Sequence, residues 1–186
     1  AQFHREAPGV EVVLHELATV EQLDKLLRKR LHAAFVHGSA VPPPLAAVPL
    51  RDDHFVLCLP ENHRLAGQDP VDMRDLAGEG FVMFARDVAP ANHDNVIALF
   101  HRAGIHPRTR HGARQWLTVV SLVALGMGVA LVPASLAQAG VQGVRFLPIA
   151  GLHHPAVGVL AWHEEADHPA LRVFLDCAAP FLQSGA

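Results

Sequence analysis

Trp116-Leu117-Thr118-Val119-Val120-Ser121-Leu122-Val123-Ala124-Leu125-Gly126-Met127-Gly128-Val129-Ala130-Leu131-Val132-Pro133 carries no charged side chain, and its reading decides the fold. A membrane span needs roughly 20 unbroken apolar residues. Gly126, Gly128 and Pro133 cut this run into pieces too short to span. The pieces predict a buried helix over Arg114–Leu125, a glycine C-cap, and a buried β-branched parallel strand over Val129–Val132. A helix running straight into a buried strand is the grammar of an α/β protein, not of a membrane anchor.

The same alternation extends in both directions. Ala1–Ala7 reads as the tail of a helix, so the chain opens inside an element, and Pro8-Gly9 stops it. Val10–Leu17 reads as a strand because Val10, Val12 and Leu14 alternate with other residues. Thr19 opens a helix through Arg30. Thr19-Val20-Glu21-Gln22 has the pattern of a capping box, and Leu23, Leu26, Leu27 and Leu31 form an apolar stripe at helical spacing. Ala33–Val36, Ala46–Leu50, His54–Leu59, Phe81–Phe84, Pro107–Gly112, Val144–Pro148 and Val157–Trp162 read as strands. Helices are predicted at Val71–Ala77, from Pro90 through Ala103, at Ser135–Ala139 and over Pro169–Leu182. Strands alternating with helices predict parallel sheets. Crossings near Arg51–Phe55 and Leu152–Val157 predict two lobes: residues 1–52 with 157–186, and residues 53–156. A ligand cleft is expected between such lobes.

Composition narrows the function. The chain has 186 residues, 51% hydrophobic and 18% charged, with a net charge of −3. That excludes a disordered chain and a basic nucleic-acid-binding module as descriptions of the segment. Cys58 and Cys177 are too few for a disulfide scaffold or a four-cysteine zinc site, and two buried free thiols are expected. His101, His106 and His111 recur every five residues, a spacing that fits neither one helix face nor one strand face. His153-His154 and His163 with His168 lack a carboxylate partner at metal-site spacing. No nucleophile elbow, phosphate loop or dinucleotide fingerprint occurs. The serines are Ser39, Ser121, Ser135 and Ser184, and Ser121 lies in the buried helix, so no Ser–His–Asp site is expected. No enzyme, metal or cofactor is expected, and neither is a membrane.

Pro8-Gly9-Val10-Glu11-Val12, Leu57-Cys58-Leu59-Pro60-Glu61-Asn62-His63-Arg64-Leu65-Ala66, and Gly126-Met127-Gly128-Val129-Ala130-Leu131-Val132-Pro133-Ala134-Ser135 occur in an order that resembles the effector-binding domain of LysR-type transcriptional regulators. The branch responding to aromatic acids and their ring-cleavage products is the most similar, and the resemblance covers essentially the whole chain. It implies two Rossmann-like lobes joined by two crossover strands, a type II periplasmic-binding-protein-like α/β fold whose first strand in lobe one is missing here. It implies a cytoplasmic homodimer or tetramer built by antiparallel pairing of effector domains. It implies DNA contact only through an N-terminal helix-turn-helix domain absent from this chain. A free solute-binding protein of the same fold, feeding a transporter, is the alternative reading.

Helix starts at Thr19, at Pro90-Ala91-Asn92 and at Arg114 each present unpaired N–H groups and about half a positive charge. A small organic carboxylate, aromatic or aliphatic, is the natural guest. The resemblance places a ligand-contacting hydroxyl at Thr19; plain capping is the alternative. His37 matches a position where relatives carry a basic side chain, against a His satisfied by a backbone carbonyl. Pro90, Ala91 and Asn92 match the cleft-facing turn of lobe two, where aromatic-acid responders place a bulky apolar ring at the position of Asn92. That departure points to a more polar or longer ligand; a solvated first-turn residue is the alternative. Phe84 and Ala113 are candidate walls or plain core, and Arg114 reaches an anion or solvent.

Overall fold

The computed structural model describes residues 2–37, 41–51, 54–152 and 158–182. In chain order the elements are α1 (Gln2–Glu6), α2 (Thr19–Leu27), β1 (Ala33–His37), β2 (Leu45–Pro49), β3 (Phe55–Pro60), β4 (Gly80–Phe84), α3 (Pro90–Arg102), β5 (Arg108–Ala113), α4 (Trp116–Ala124), β6 (Ala130–Pro133), β7 (Val144–Leu147), β8 (Gly158–His163) and α5 (Pro169–Ala178). They divide into two compact units, Ala1–Arg51 with Val157–Ala186, and Asp52–Ala156. Positions 52, 53 and 153–157, where the sequence predicts the crossings, lie outside the described residues.

In the first unit the sheet order is β1–β8–β2, with β8 antiparallel to both neighbours. Strand period two sorts the central strand's side chains onto opposite faces. Val159 and Ala161 pack with Ala34, Val36, Leu45 and Leu26 of α2. Leu160 and the half-buried Trp162 pack with Ala178, Phe174 and Leu175 of α5. One helix therefore covers each face. The expected strand over Val10–Leu17 does not form. Val13 is 63% exposed and Leu14 89% exposed. Among the described residues the segment's backbone has no ladder partner, and alternation cannot make a strand without a neighbour. The helix from Thr19 ends at Leu27 rather than Arg30 because Lys29 adopts φ 56°, the left-handed region. The Lys29 and Arg30 amides then donate back to Leu26 and Lys25 carbonyls at 2.9 and 2.8 Å, a Schellman closure. Leu27, expected in the buried stripe, is exposed at that end.

In the second unit β3 is central in β6–β3–β7 and antiparallel to both neighbours. β4 and β5 run parallel and join this sheet through the parallel bridge Phe81–Val129. The expectation of parallel sheets is corrected: the described sheet of the first unit is antiparallel and that of the second unit is mixed. β3 and β8, the first strands of each chain crossing, run against their neighbours. Around β3 in the second unit, Phe55, Leu57, Leu59, Phe81, Phe100, Val129 and Leu131 form the larger core. Two expected helices, Val71–Ala77 and Ser135–Ala139, are 3-10 turns, Met73–Leu76 and Ala134–Ala139. The terminal helix closes at Ala178 and continues as a 3-10 turn, Ala179–Phe181.

The Gly126–Gly128 pair does two jobs. Gly126 (φ 75°) ends α4 with a second Schellman closure: its amide donates to Val123 O at 2.8 Å and that of Met127 to Leu122 O at 3.1 Å. Gly128 (φ 146°) lets the chain reach β4, where Val129 N–H donates to Gly80 O and Val82 N–H to Val129 O, both at 2.9 Å. Both thiols are free and buried. No described helix is long and apolar enough to cross a membrane.

Candidate functional site

Each unit brings part of the candidate set together. In the first unit the N-cap of α2 is Ala18, not Thr19. Ala18 is extended (φ −65°, ψ 148°), and its carbonyl takes the first helical bond, from Gln22 N–H at 2.9 Å. The capping box expected of Thr19 and Gln22 therefore does not form, and no side chain caps the helix. Thr19 Oγ1 instead accepts the His37 N–H at 3.3 Å, tying the start of α2 to the end of β1. Thr19 is buried and His37 half-buried. The bond uses the hydroxyl as an acceptor and does not consume its proton.

In the second unit the parallel pair β4–β5 ends with Phe84 opposite Ala113, both buried, and Ala85 N–H donates to Ala113 O at 2.8 Å. α3 and α4 start just beyond these strand ends. α3 has Ala89 as N-cap and Pro90 at its first position. α4 has Gln115 as N-cap, so it starts at Trp116 rather than at Arg114. Neither cap makes a side-chain bond, and neither first turn holds an acidic residue. Pro90 has no N–H. The first amide donors of α3 are thus those of Ala91 and Asn92, with His93 already bonded back to Ala89 O at 3.1 Å. The side chain of Ala91 lies outside the described residues. Asn92 is 2% exposed, and its Nδ2 has no hydrogen-bond partner among the described residues. A buried unpaired donor is rare and costs on the order of 1–3 kcal/mol.

Two ion pairs hold the loop that leads into α3. Arg86 grips Asp94 with Nε at 2.8 Å and Nη2 at 2.9 Å. Arg114 pairs with Asp87. The hydrogen bond from Arg86, then that from His93, lowers the Asp94 carboxyl to a pKa of about 2. All four side chains of the pairs are more than half exposed, so each pair positions the loop more than it stabilises the fold. Arg114 precedes the cap of α4 and turns to Asp87, a partner 27 positions away that the sequence pattern does not reveal. Phe84 stacks on Trp116, ring centroids 4.5 Å apart at 31°. Trp116 was missed because it opens a long apolar run; an aromatic directly after the end of β5 is the signal that would have found it.

The remaining candidates show no cluster. The His101 and His106 rings touch at 5.4 Å. His163 is buried with Nδ1 accepting the Glu165 N–H at 3.2 Å. Among the described residues no group of three or more His, Cys, Asp or Glu could hold a metal.

Two α/β units, the first on an antiparallel sheet and the second on a mixed one, each with a central strand running against its neighbours, define a type II periplasmic-binding-protein-like fold. The chain belongs to the LysR substrate binding domain family, whose model it matches over residues 1–183. It is 29% identical over 175 residues to the uncharacterised HTH-type transcriptional regulator YnfL of Escherichia coli (strain K12), covering 92% of this chain and 58% of that protein. It is 34% identical over 134 residues to the HTH-type transcriptional regulator CatR of Pseudomonas putida, covering 72% and 46%. The fold matches the effector binding domain of QuiR in complex with shikimate with a TM-score of 0.82 at 23% identity, over 96% of this chain and 86% of that one. The chain spans about half the length of the curated relatives it matches.

Proposed function

We propose that this chain is the effector-sensing part of a LysR-type bacterial transcriptional regulator and that its effector is a small organic carboxylate, aromatic acids included. The observation that carries the reading is the first turn of α3. It combines an uncapped helix start, no acidic side chain and a buried amide donor on Asn92 without a partner. Such a turn meets an anion with fixed dipoles rather than mobile charges. Shikimate, the ligand of QuiR, is an acid of this class. The proposed ligand-contacting residues are Thr19 and His37 within the first unit and, taken separately, Phe84, Pro90, Ala91, Asn92, Ala113 and Arg114 within the second. Arg114 pairs with Asp87 through Nη1, and its other guanidinium donors are the ones proposed to meet the ligand.

The protein is not an enzyme and needs no cofactor. Effector binding favours one of two states of the domain by its differential affinity for them. In the cytoplasm, antiparallel pairing of effector domains in a dimer or tetramer relays that bias to a helix-turn-helix domain outside these residues.

Isothermal titration of the chain with benzoate, shikimate and succinate tests the site. At least one acid binds saturably, benzamide does not, and Asn92→Asp weakens the bound acid at least about tenfold by placing a like charge at the turn. Equal affinity for wild type and Asn92→Asp would overturn the assignment.

A further inference from the structure

Asn92 bears on the chemistry of the ligand as well as on its place. We infer that Asn92 selects acids carrying a second hydrogen-bond acceptor, hydroxy and keto acids, over acids of the same skeleton without one. The inference rests on the carboxylate reading above and names the effector class within it. The two main-chain amides at the start of α3, those of Ala91 and Asn92, are enough for the two oxygens of one carboxylate. The Asn92 side-chain amide is a further donor, 2% exposed and without a partner among the described residues. No described acceptor, Asp94 included, lies within hydrogen-bond reach of it. An apolar side chain at this buried place would carry no such penalty. A bound ligand that supplies an acceptor would satisfy this donor, which nothing among the described residues does.

A site with a buried unpaired donor discriminates sharply. A ligand that pairs the donor relieves its desolvation cost. A matched ligand lacking the acceptor leaves the donor dry and unpaired. The expected preference is about ten- to a hundredfold. Replacing Asn92 by leucine, of similar size and without polar atoms, removes the preference and leaves the carboxylate contact to the main chain.

The test titrates the chain with two matched pairs, shikimate against cyclohex-1-ene-1-carboxylate and lactate against propionate. The wild-type comparison needs no variant, so a folding defect cannot mask it. The hydroxylated member of a pair binds about ten- to a hundredfold tighter, and in Asn92→Leu the two members bind within about threefold. If the members of each pair bind the wild type equally, the carboxylate reading stands and the role of Asn92 falls. If the preference survives in Asn92→Leu, another residue sets it, and the inference is overturned. If none of the four acids binds, the carboxylate reading fails and this inference fails with it.

Discussion

Gly128→Ala removes the junction on which the second unit's sheet is built. A Cβ on Gly128 would stand 2.4 Å from the Gly80 carbonyl oxygen and 3.1 Å from its carbon. Both are backbone atoms of a buried strand and cannot rotate away. The residue also sits at φ 146°, a conformation that costs an L side chain about 1–3 kcal/mol. Relief requires β6 to move from β4, which weakens the two 2.9 Å bonds between Val129 and residues 80 and 82. At about 0.5–1.5 kcal/mol net for each bond, the total destabilisation is about 2–6 kcal/mol. Gly126→Ala is the control: it has the same side chain and a positive φ of 75°, but nothing lies within 4 Å. It should cost about 1 kcal/mol. Urea unfolding followed by circular dichroism reads the difference, and a thermal scan should show Gly128→Ala melting about 10 °C lower than wild type. If the two variants fall within about 1 kcal/mol of each other, the close approach of β4 and β6 is not what fixes Gly128.

Three further outcomes follow from local chemistry. Lys29→Gly should stabilise the first unit by about 1 kcal/mol in urea melts, because a non-glycine residue now occupies the left-handed position that closes α2. The Asp94 carboxyl, its pKa depressed to about 2 by Arg86, should keep its pair from neutral pH down past the ordinary carboxylate range. The pair's contribution is complete above about pH 4 and fades only as pH falls towards 2; carbon-detected NMR titration measures this, and Arg86→Ala should return the midpoint towards the usual value. The Cys58 thiol, pushed up to about 12 by burial, should resist alkylation by iodoacetamide at pH 8 in the native state and react only on unfolding.

How far the sequence reveals the fold depends on whether the determining contact is local. Gly126 and Gly128 were legible because a helix closure and a strand entry each need a backbone only glycine adopts cheaply. Pro90 was legible as a helix start because its missing N–H and fixed φ suit that position. Val10–Leu17 misled because side-chain alternation records which residues are apolar, not whether a neighbouring strand exists. The end of α2 misled because Lys29 closes it without the glycine that normally marks such an end. In the candidate site, Asn92 was picked out by its place at the α3 start. That its amide is buried without a partner is a property of packing that no spacing carries. Thr19 was read as a cap because its residue type fits one. Its actual bond goes to His37, 18 positions away. The role of Arg114 as the partner of Asp87 is hidden for the same reason.

The loop into α3 separates two demands that often collide. Its anchoring pairs, Arg86 with Asp94 and Asp87 with Arg114, lie on the surface, while position 92 is buried. The posture of the turn is thus set by residues other than Asn92, the one proposed to meet the guest. On the proposed function, variation at this single interior position would retune what the sensor hears without disturbing how the turn is held, which makes residue 92 the natural first site to randomise when building biosensors for new acids on this frame.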